Sequence, residues 1–259
     1  MGTFTGERPG RGPGYEYDDS RHAVAYLAIV DLVAGRVVVD AGCGDGSGTA
    51  ALAEHAARVV GLDHHVASID QARVTHGGPD VTFEVANLAA PWPVRDADVV
   101  VALQVIEHLE DDAAFVRHAI DAVAPGGTVV MTTPNVLRSF SENPYHVREY
   151  TAEELQSLLA REGVEVQLQG IFGNAKVEAF DARRRAAVQR WLRLDPLRLR
   201  DRLPRGFVEW AFATLSTLVR RRADAGASDE EPITVDDFEV RDGDLDGCLD
   251  LVATVRRAG

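Results

Sequence analysis

Apolar runs of strand length recur along the chain, and stretches of helical pattern separate them. The first, GRVVVDAGCG, is a short apolar run closed by glycines, the pattern of a buried parallel strand meeting a tight turn. SGTAALAEHAA predicts a helix, RVVGLD a second strand and HVASIDQARVTH a second helix. VTFEVAN predicts the third strand and DADVVVALQV the fourth; the helix DDAAFVRHAIDAVA is broken by PGG, and TVVMTTPN predicts the fifth. In TAEELQSLLAREG, Thr151 is placed to cap a helix, with Glu154 three residues later. VEVQLQGI predicts a sixth strand and CLDLVATVRR a seventh. Strands alternating with helices imply an α/β fold: a Rossmann-like, doubly wound, seven-stranded parallel sheet covered on both faces. Asn174 to Asp244 is too long for a hairpin connection, so a helical insertion precedes the last strand. EAFDARRRAAVQRWL and GFVEWAFATLSTLVRRR both read as helical, and ADAGASDEEP has the composition of a mobile loop.

Composition narrows the partners. The 259 residues, 46% of them hydrophobic, suffice for one large domain with an insertion. Lys+Arg 27 against Asp+Glu 41 gives a formal charge of −14, which argues against broad affinity for nucleic acid. Two cysteines, Cys43 and Cys248, build neither a disulfide framework nor a cysteine-rich metal site. The start MGTFTGERPG lacks the apolar run of a secretory signal, and Gly6 stands where a myristoylation start wants serine or threonine. No stretch approaches ~20 apolar residues, so no membrane span is expected and the expected location is the cytoplasm.

VVVDAGCGDGSGT is the sharpest signal. A strand delivers Asp40, then Gly42, Gly44, Gly46 and Gly48 alternate with other residues, and glycines there let a ligand approach the backbone. Asp63 ends the next strand, where a carboxylate can accept hydrogen bonds from ribose hydroxyls. Asp40 and Asp45 would repel a pyrophosphate and tolerate a cation. The loop thus resembles the S-adenosylmethionine site of class I methyltransferases, over Arg36 to about Glu165 and again at the last strand. That resemblance implies S-adenosylmethionine as cofactor, held by Asp40, Gly42, Cys43, Gly44, Gly46, Asp63 and His64. It further implies Asn87 and Leu88 near adenine and Gln104 at the methionine end. The domain plan becomes an N-terminal lid and first helix at 1–35, a cofactor-binding core at 36–173, the insertion with its loop at 174–244 and the final strand at 245–259.

LQVIEHLED follows the fourth strand and NPYHVREYT the fifth, so both loops lie at one sheet edge. Glu107, His108 and His146 then form a His/His/carboxylate cluster suited to magnesium or another divalent metal. The layout resembles the E-x-x-E-H plus distant His pattern of small-RNA terminal 2′-O-methyltransferases, which quinone-pathway O-methyltransferases share in part. Gln104 stands where that pattern has its first glutamate. Either an ion lowers the pKa of an acceptor hydroxyl, or His146 or His108 takes its proton.

The leader GERPGRGPGYEYDDSRH resembles the start of actinobacterial methyltransferases that include O-methyltransferases of mannose-containing oligosaccharides. The resemblance implies a lid in which Tyr15, Tyr17 and Asp18 meet a sugar or the cofactor and Arg21 and His22 anchor the segment. Methylation of a hydroxyl on a sugar or other small acceptor is the leading expectation. Alternatives are a lipid or quinone precursor, RNA terminal 2′-O-methylation, and a cofactor-binding scaffold without catalysis. From Arg183 to Arg222 twelve arginines face three acids, among interleaved aromatics. Such helices cap a sheet, meet an anionic acceptor or membrane surface, or form a homodimer contact.

Overall fold

The run VVVDA becomes a strand whose neighbours in space are the strands predicted second and fourth, and the sheet grows outward from it. The computed structural model describes residues 16–139, 145–192 and 231–259. Among these, one sheet holds β1 (Val37–Ala41), β2 (Arg58–Asp63), β3 (Val81–Val85), β4 (Ala97–Leu103), β5 (Val123–Pro134), β6 (Glu165–Gly173), β7 (Phe238–Arg241) and β8 (Asp250–Arg256). Their order is β3-β2-β1-β4-β5-β8-β6-β7. Helices α1 (Glu16–Ala28), α2 (Val30–Val33), α3 (Ser47–Ala53), α4 (Val66–His76), α5 (Asp112–Ala122), α6 (Ala152–Ala160) and α7 (Ala175–Leu192) pack around it.

The central strands are predominantly apolar because both faces are covered. Val39, Val100, Ala102, Val129 and Met131 point to one core, with Phe115 of α5 and Leu155 and Leu159 of α6. Their sequence neighbours Val38, Val99, Val101 and Val130 point to the other, with Val24 of α1, Leu52 of α3 and Val177 of α7. Local signals set the helix starts. The Asp111 side chain accepts from the Ala114 N–H, and Thr151 and Glu154 form the expected capping box.

The sheet departs from the all-parallel, seven-stranded expectation in two ways. β8 runs antiparallel to both β5 and β6, and the eighth strand, β7, lies inside the stretch read as helical insertion. Both follow from one path. β7 pairs along the outer side of β6 from Gly173 back to Gly170, residues 242–249 cross β6 with Cys248 against Gly170, and β8 resumes on the inner side opposite Ile171. The crossing carries the 3-10 turn Leu245–Gly247, and the strands it joins both run against β6. The helix expected at 206–222 and most of the loop at 223–232 lie outside the described residues, as does Tyr15. Among the described residues no helix is long and apolar enough to cross a membrane.

The strands β1 to β5 all run the same way, so their C-terminal ends share one edge. Asp40, Asp63 and Leu103 bring their following loops there, and the antiparallel β8 starts at that edge with Asp250.

Candidate active site

The loop after β1 is fastened to β2, where Gly42 and Cys43 donate their N–H groups to the Leu62 carbonyl at 2.7 and 3.0 Å. Gly44 has φ +55°, and among the described residues nothing lies within 4 Å of where its Cβ would stand. Its peptide therefore presents bare backbone to open space. Gly46 has φ +82°, and a Cβ there would lie 2.8 Å from the Phe83 ring and 2.9 Å from Ala72 Cβ. One glycine leaves room for a ligand and the other leaves room for the fold.

Asp63 holds the opposite wall. Its carboxylate accepts from Gly44 N–H at 3.0 Å and His65 N–H at 2.8 Å. A carboxylate has about four acceptor sites, so about two remain for vicinal hydroxyls. His64 stands beside it, its side chain 81% exposed and Nδ1 3.4 Å from Oδ1. Asn87 is exposed after β3 and its Oδ1 accepts from Ala89 N–H at 3.0 Å. Leu88 turns its side chain into the core, so only its backbone is offered to a ligand. Cys43 likewise buries its thiol, which burial and the nearby Asp40 carboxylate push well above the usual thiol range.

Asp40 needs a correction to its expected role. It does not line the loop: its carboxylate is 1% exposed and accepts from Thr49 Oγ1 at 2.6 Å, bracing the first turn of α3. Burial raises its pKa to about 6, against the Thr49 hydrogen bond and with help from Asp63. The folded value thus lies above the unfolded value of about 3.9, so the folded state binds the proton more tightly. The stability this gives is complete below about pH 4 and is lost as pH rises to about 6, with no further change above. Asp40→Asn keeps an acceptor for Thr49 and has no proton to lose. Its stability relative to the native protein should rise by ~2–3 kcal/mol between pH 4 and pH 7, as urea melts across that range would read.

After β4, Gln104 adopts φ 56°, unusual for a residue with a side chain. The strain is held by three contacts: its N–H meets Thr132, and its Nε2 donates to Thr132 Oγ1 and Asp250 Oδ1, both at 3.2 Å. Asp250 is 1% exposed and also receives the Arg21 guanidinium, which donates from Nε and Nη2. Arg21 Nη2 reaches the Leu249 carbonyl as well, at 2.9 Å. One buried carboxylate therefore ties α1 to the residue expected at the methionine end of the cofactor.

Arg21 anchors α1 as expected, but Tyr17 and Asp18 do not face a ligand. The Tyr17 ring is 4% exposed, stacks on Phe180 at 4.9 Å, and its hydroxyl donates to Asp181 at 2.8 Å. Asp18 accepts from Arg184 at 3.3 Å, and that guanidinium lies 5.0 Å from the Tyr17 ring centroid. His22 Nδ1 lies 2.8 Å from the Asp18 carbonyl, one turn back on its own helix. These residues dock α1 on α7.

Glu107, His108 and His146 do meet. One ligand atom from each lies within 4.8 Å of the other two, and the imidazole centroids are 5.0 Å apart. Glu107 and His108 sit on a 3-10 turn directly after β4, and the Glu107 carbonyl accepts from Val147 N–H at 2.7 Å and Arg148 N–H at 3.2 Å. That pair of bonds brings the loop of His146 onto the turn. Glu107 is fully buried and accepts from Thr133 Oγ1 at 3.1 Å. His108 Nδ1 lies 3.1 Å from the Tyr145 carbonyl, an acceptor only, so Nδ1 carries the proton and Nε2 the lone pair. Nε2 is 4.0 Å from Glu107 Oε1. Burial, with His146 nearby, holds the His108 pKa below the usual imidazole value, although the Tyr145 carbonyl pulls the other way. His146 Nδ1 sits 2.7 Å from Glu149 Oε1. Burial would raise the Glu149 pKa, but hydrogen bonds from His146 and Ser139 hold it below the usual carboxylate value. Glu149 therefore stays ionised and fixes the His146 tautomer with Nε2 as its basic nitrogen.

Known proteins decide what this site belongs to. The family described as methyltransferase domain matches residues 39–131. A protein of Mycolicibacterium smegmatis named "Probable S-adenosylmethionine-dependent methyltransferase" is 36% identical over 265 residues, covering 98% of this chain and 95% of its own. The chain belongs to the S-adenosylmethionine-dependent methyltransferases. As a methyltransferase it is an enzyme with S-adenosylmethionine as cofactor. A ubiquinone biosynthesis O-methyltransferase of a Methylobacterium species is 38% identical over 113 residues, 42% of this chain and 45% of that one. The N-methyltransferase NodS of Bradyrhizobium japonicum, solved with S-adenosyl-L-homocysteine, superposes with a TM-score of 0.56 at 14% identity, over 98% of this chain and 92% of its own. At that identity the likeness is one of fold.

Asp250 and Glu149 are absent from the residues singled out in the sequence. Glu149 was within reach, since HVRE spaces it three residues from His146. Asp250 had no local signal, because its partners lie 229 and 146 residues away.

Proposed function

We propose that this methyltransferase transfers a methyl group to a hydroxyl of a sugar or other small acceptor, with a divalent ion at Glu107, His108 and His146. The observation that carries the reading is the convergence of two imidazoles and a buried carboxylate. The donor set fits a metal: each imidazole is oriented through its other nitrogen, by the Tyr145 carbonyl and the Glu149 carboxylate. Gln104 gives its Nε2 to Thr132 and Asp250, and the groups that converge are Glu107, His108 and His146. A divalent ion there would lower the pKa of an acceptor hydroxyl. The formal charge of −14 disfavours RNA.

In the reaction the acceptor oxygen forms a bond to the methyl carbon as the sulfur–methyl bond breaks, leaving S-adenosylhomocysteine, and the hydroxyl proton departs. S-adenosylmethionine brings an already activated methyl group. The chain supplies alignment, through the Gly44 peptide, Asp63 and Gln104; with an ion held by both imidazoles, the acidified hydroxyl would lose its proton to solvent. With no ion bound, His146 Nε2 is the base, backed by ionised Glu149.

The test is methyl-labelled S-adenosylmethionine with glycosides, catechols, quinone precursors and small RNA, in magnesium or EDTA. Label on a glycoside that EDTA abolishes is the expected result. Transfer that survives EDTA removes the ion and leaves the imidazole as base. Transfer to quinone precursors alone would favour the chemistry named for the Methylobacterium relative.

A further inference from the structure

A groove of about 380 Å³ lies between α7 and the segment after β5, lined by Arg138, Glu178, Asp181, Ala182, Arg185 and Ala186. Its volume falls in the range of small-molecule sites, ~300–1,000 Å³. We propose that it binds the second, unmethylated sugar unit of a glycosidic acceptor. This deepens and rests on the glycoside reading above.

The α7 wall is a single helical stripe. Glu178, Asp181, Ala182, Arg185 and Ala186 recur at spacings of three and four, so they share one face. Alanine at 182 and 186, both exposed, leaves an open floor between the charged residues. Across it, Arg138 donates Nη1 to the Gly247 carbonyl at 2.7 Å and Nη2 to Glu178 at 2.8 Å. The Arg138 carbonyl accepts from Arg185 at 3.3 Å, and Asp181 Oδ2 lies 3.7 Å from Arg138. The walls are therefore held rigid by their own ion pairs.

Their chemistry selects the ligand. Two guanidiniums and two carboxylates cancel in charge, so an anionic acceptor gains nothing overall and meets the exposed Glu178, while the buried Asp181 is spent on Tyr17 and Arg138. A polyprenyl or quinone tail would find only alanine methyls and the stems of charged side chains. A polyhydroxylated ring donates to the Glu178 carboxylate and accepts from the guanidiniums, and its C–H face can rest on the alanines. The groove also adjoins the reacting centre. Arg138 is followed by Ser139, which hydrogen-bonds Glu149, the partner of His146. A sugar unit in the groove is thus the neighbour of one whose hydroxyl faces the imidazoles.

Ala182→Trp and Ala186→Trp fill the floor from exposed positions, and retained affinity for S-adenosylhomocysteine certifies their fold. The native enzyme should favour a disaccharide glycoside over the matching methyl monosaccharide in kcat/KM. Each variant should cut that ratio by about tenfold or more. Saturation-transfer NMR of the disaccharide on the S-adenosylhomocysteine complex should lose its signal in the same variants. An unchanged ratio in both variants overturns the groove. So does monosaccharide methylation with no disaccharide advantage in the native enzyme, which leaves the proposed reaction standing. Disaccharide binding that the variants abolish, without any glycoside methylation, upholds the groove and overturns the reaction. Neither binding nor turnover overturns both.

Discussion

His146→Ala is expected to lower kcat by ~10²–10⁴-fold, the usual worth of a positioned proton acceptor, while S-adenosylmethionine affinity stays within about twofold. The separation follows from where the two functions are built. The cofactor wall comes from the loop after β1 and from Asp63 on β2, whereas His146 arrives on the loop after β5 and reaches the site through Glu107. Its Nε2 is aimed by the Nδ1 bond to Glu149, so truncation removes either a metal ligand or the base. Both routes give the same loss. The fold has little to lose, since Ser139 still bonds Glu149 and the clamp on the Glu107 carbonyl is made by the backbone of Val147 and Arg148. Single-turnover rates and calorimetric titration of the cofactor check the two halves. A collapse of cofactor affinity would assign His146 a structural role instead.

The parts of this site that could be read in the sequence are those that local pattern dictates. A glycine loop after an apolar run, an acid ending the next strand and a Glu-His pair after the fourth strand each sit at a sheet edge by topology alone. Their meeting needs only that parallel strands end together. The parts that could not be read depend on distant partners. β7 has four residues, of which only Phe238 is buried, and its strand character comes from pairing with β6. Tyr17 reads as a ligand-gripping aromatic among polar neighbours, yet Phe180, Asp181 and Arg184 claim it from the far side of the sequence. Its burial moves the expected lid from its first turn to Arg21. Arg21 shares the Asp250 carboxylate with Gln104, so the position of α1 and the strained peptide after β4 are set by one buried acid. Asp40 shows the same error at the end of β1. A conspicuous acid in the loop reads as a ligand contact, and the fold turns it inward to hold α3.

Gly44→Val should raise the dissociation constant for S-adenosylmethionine by about a hundredfold, or ~2.7 kcal/mol, and leave the protein folded. Among the described residues no atom lies within 4 Å of where its Cβ would stand, so the side chain clashes with none of them. It projects instead beside the peptide whose N–H donates to Asp63, where a ligand bonded to Asp63 must lie. The left-handed backbone adds ~1–2 kcal/mol of strain for a residue with a Cβ, which should lower Tm by roughly 2–8 °C in a chain of this size. Gly46→Ala is the contrasting variant. Its single methyl would meet the Phe83 ring at 2.8 Å and Ala72 at 2.9 Å, inside the packing of α3 against β3 and α4, so the loss falls on stability first. Thermal melts with and without cofactor separate the two. If Gly44→Val keeps native affinity, the bare edge of this loop is not where the cofactor lies, and Asp63 must hold it from the other side. If it loses affinity while Gly46→Ala loses stability, the alternating glycines divide between ligand and core, and the loop is a cradle at Gly44 and a hinge point of packing at Gly46.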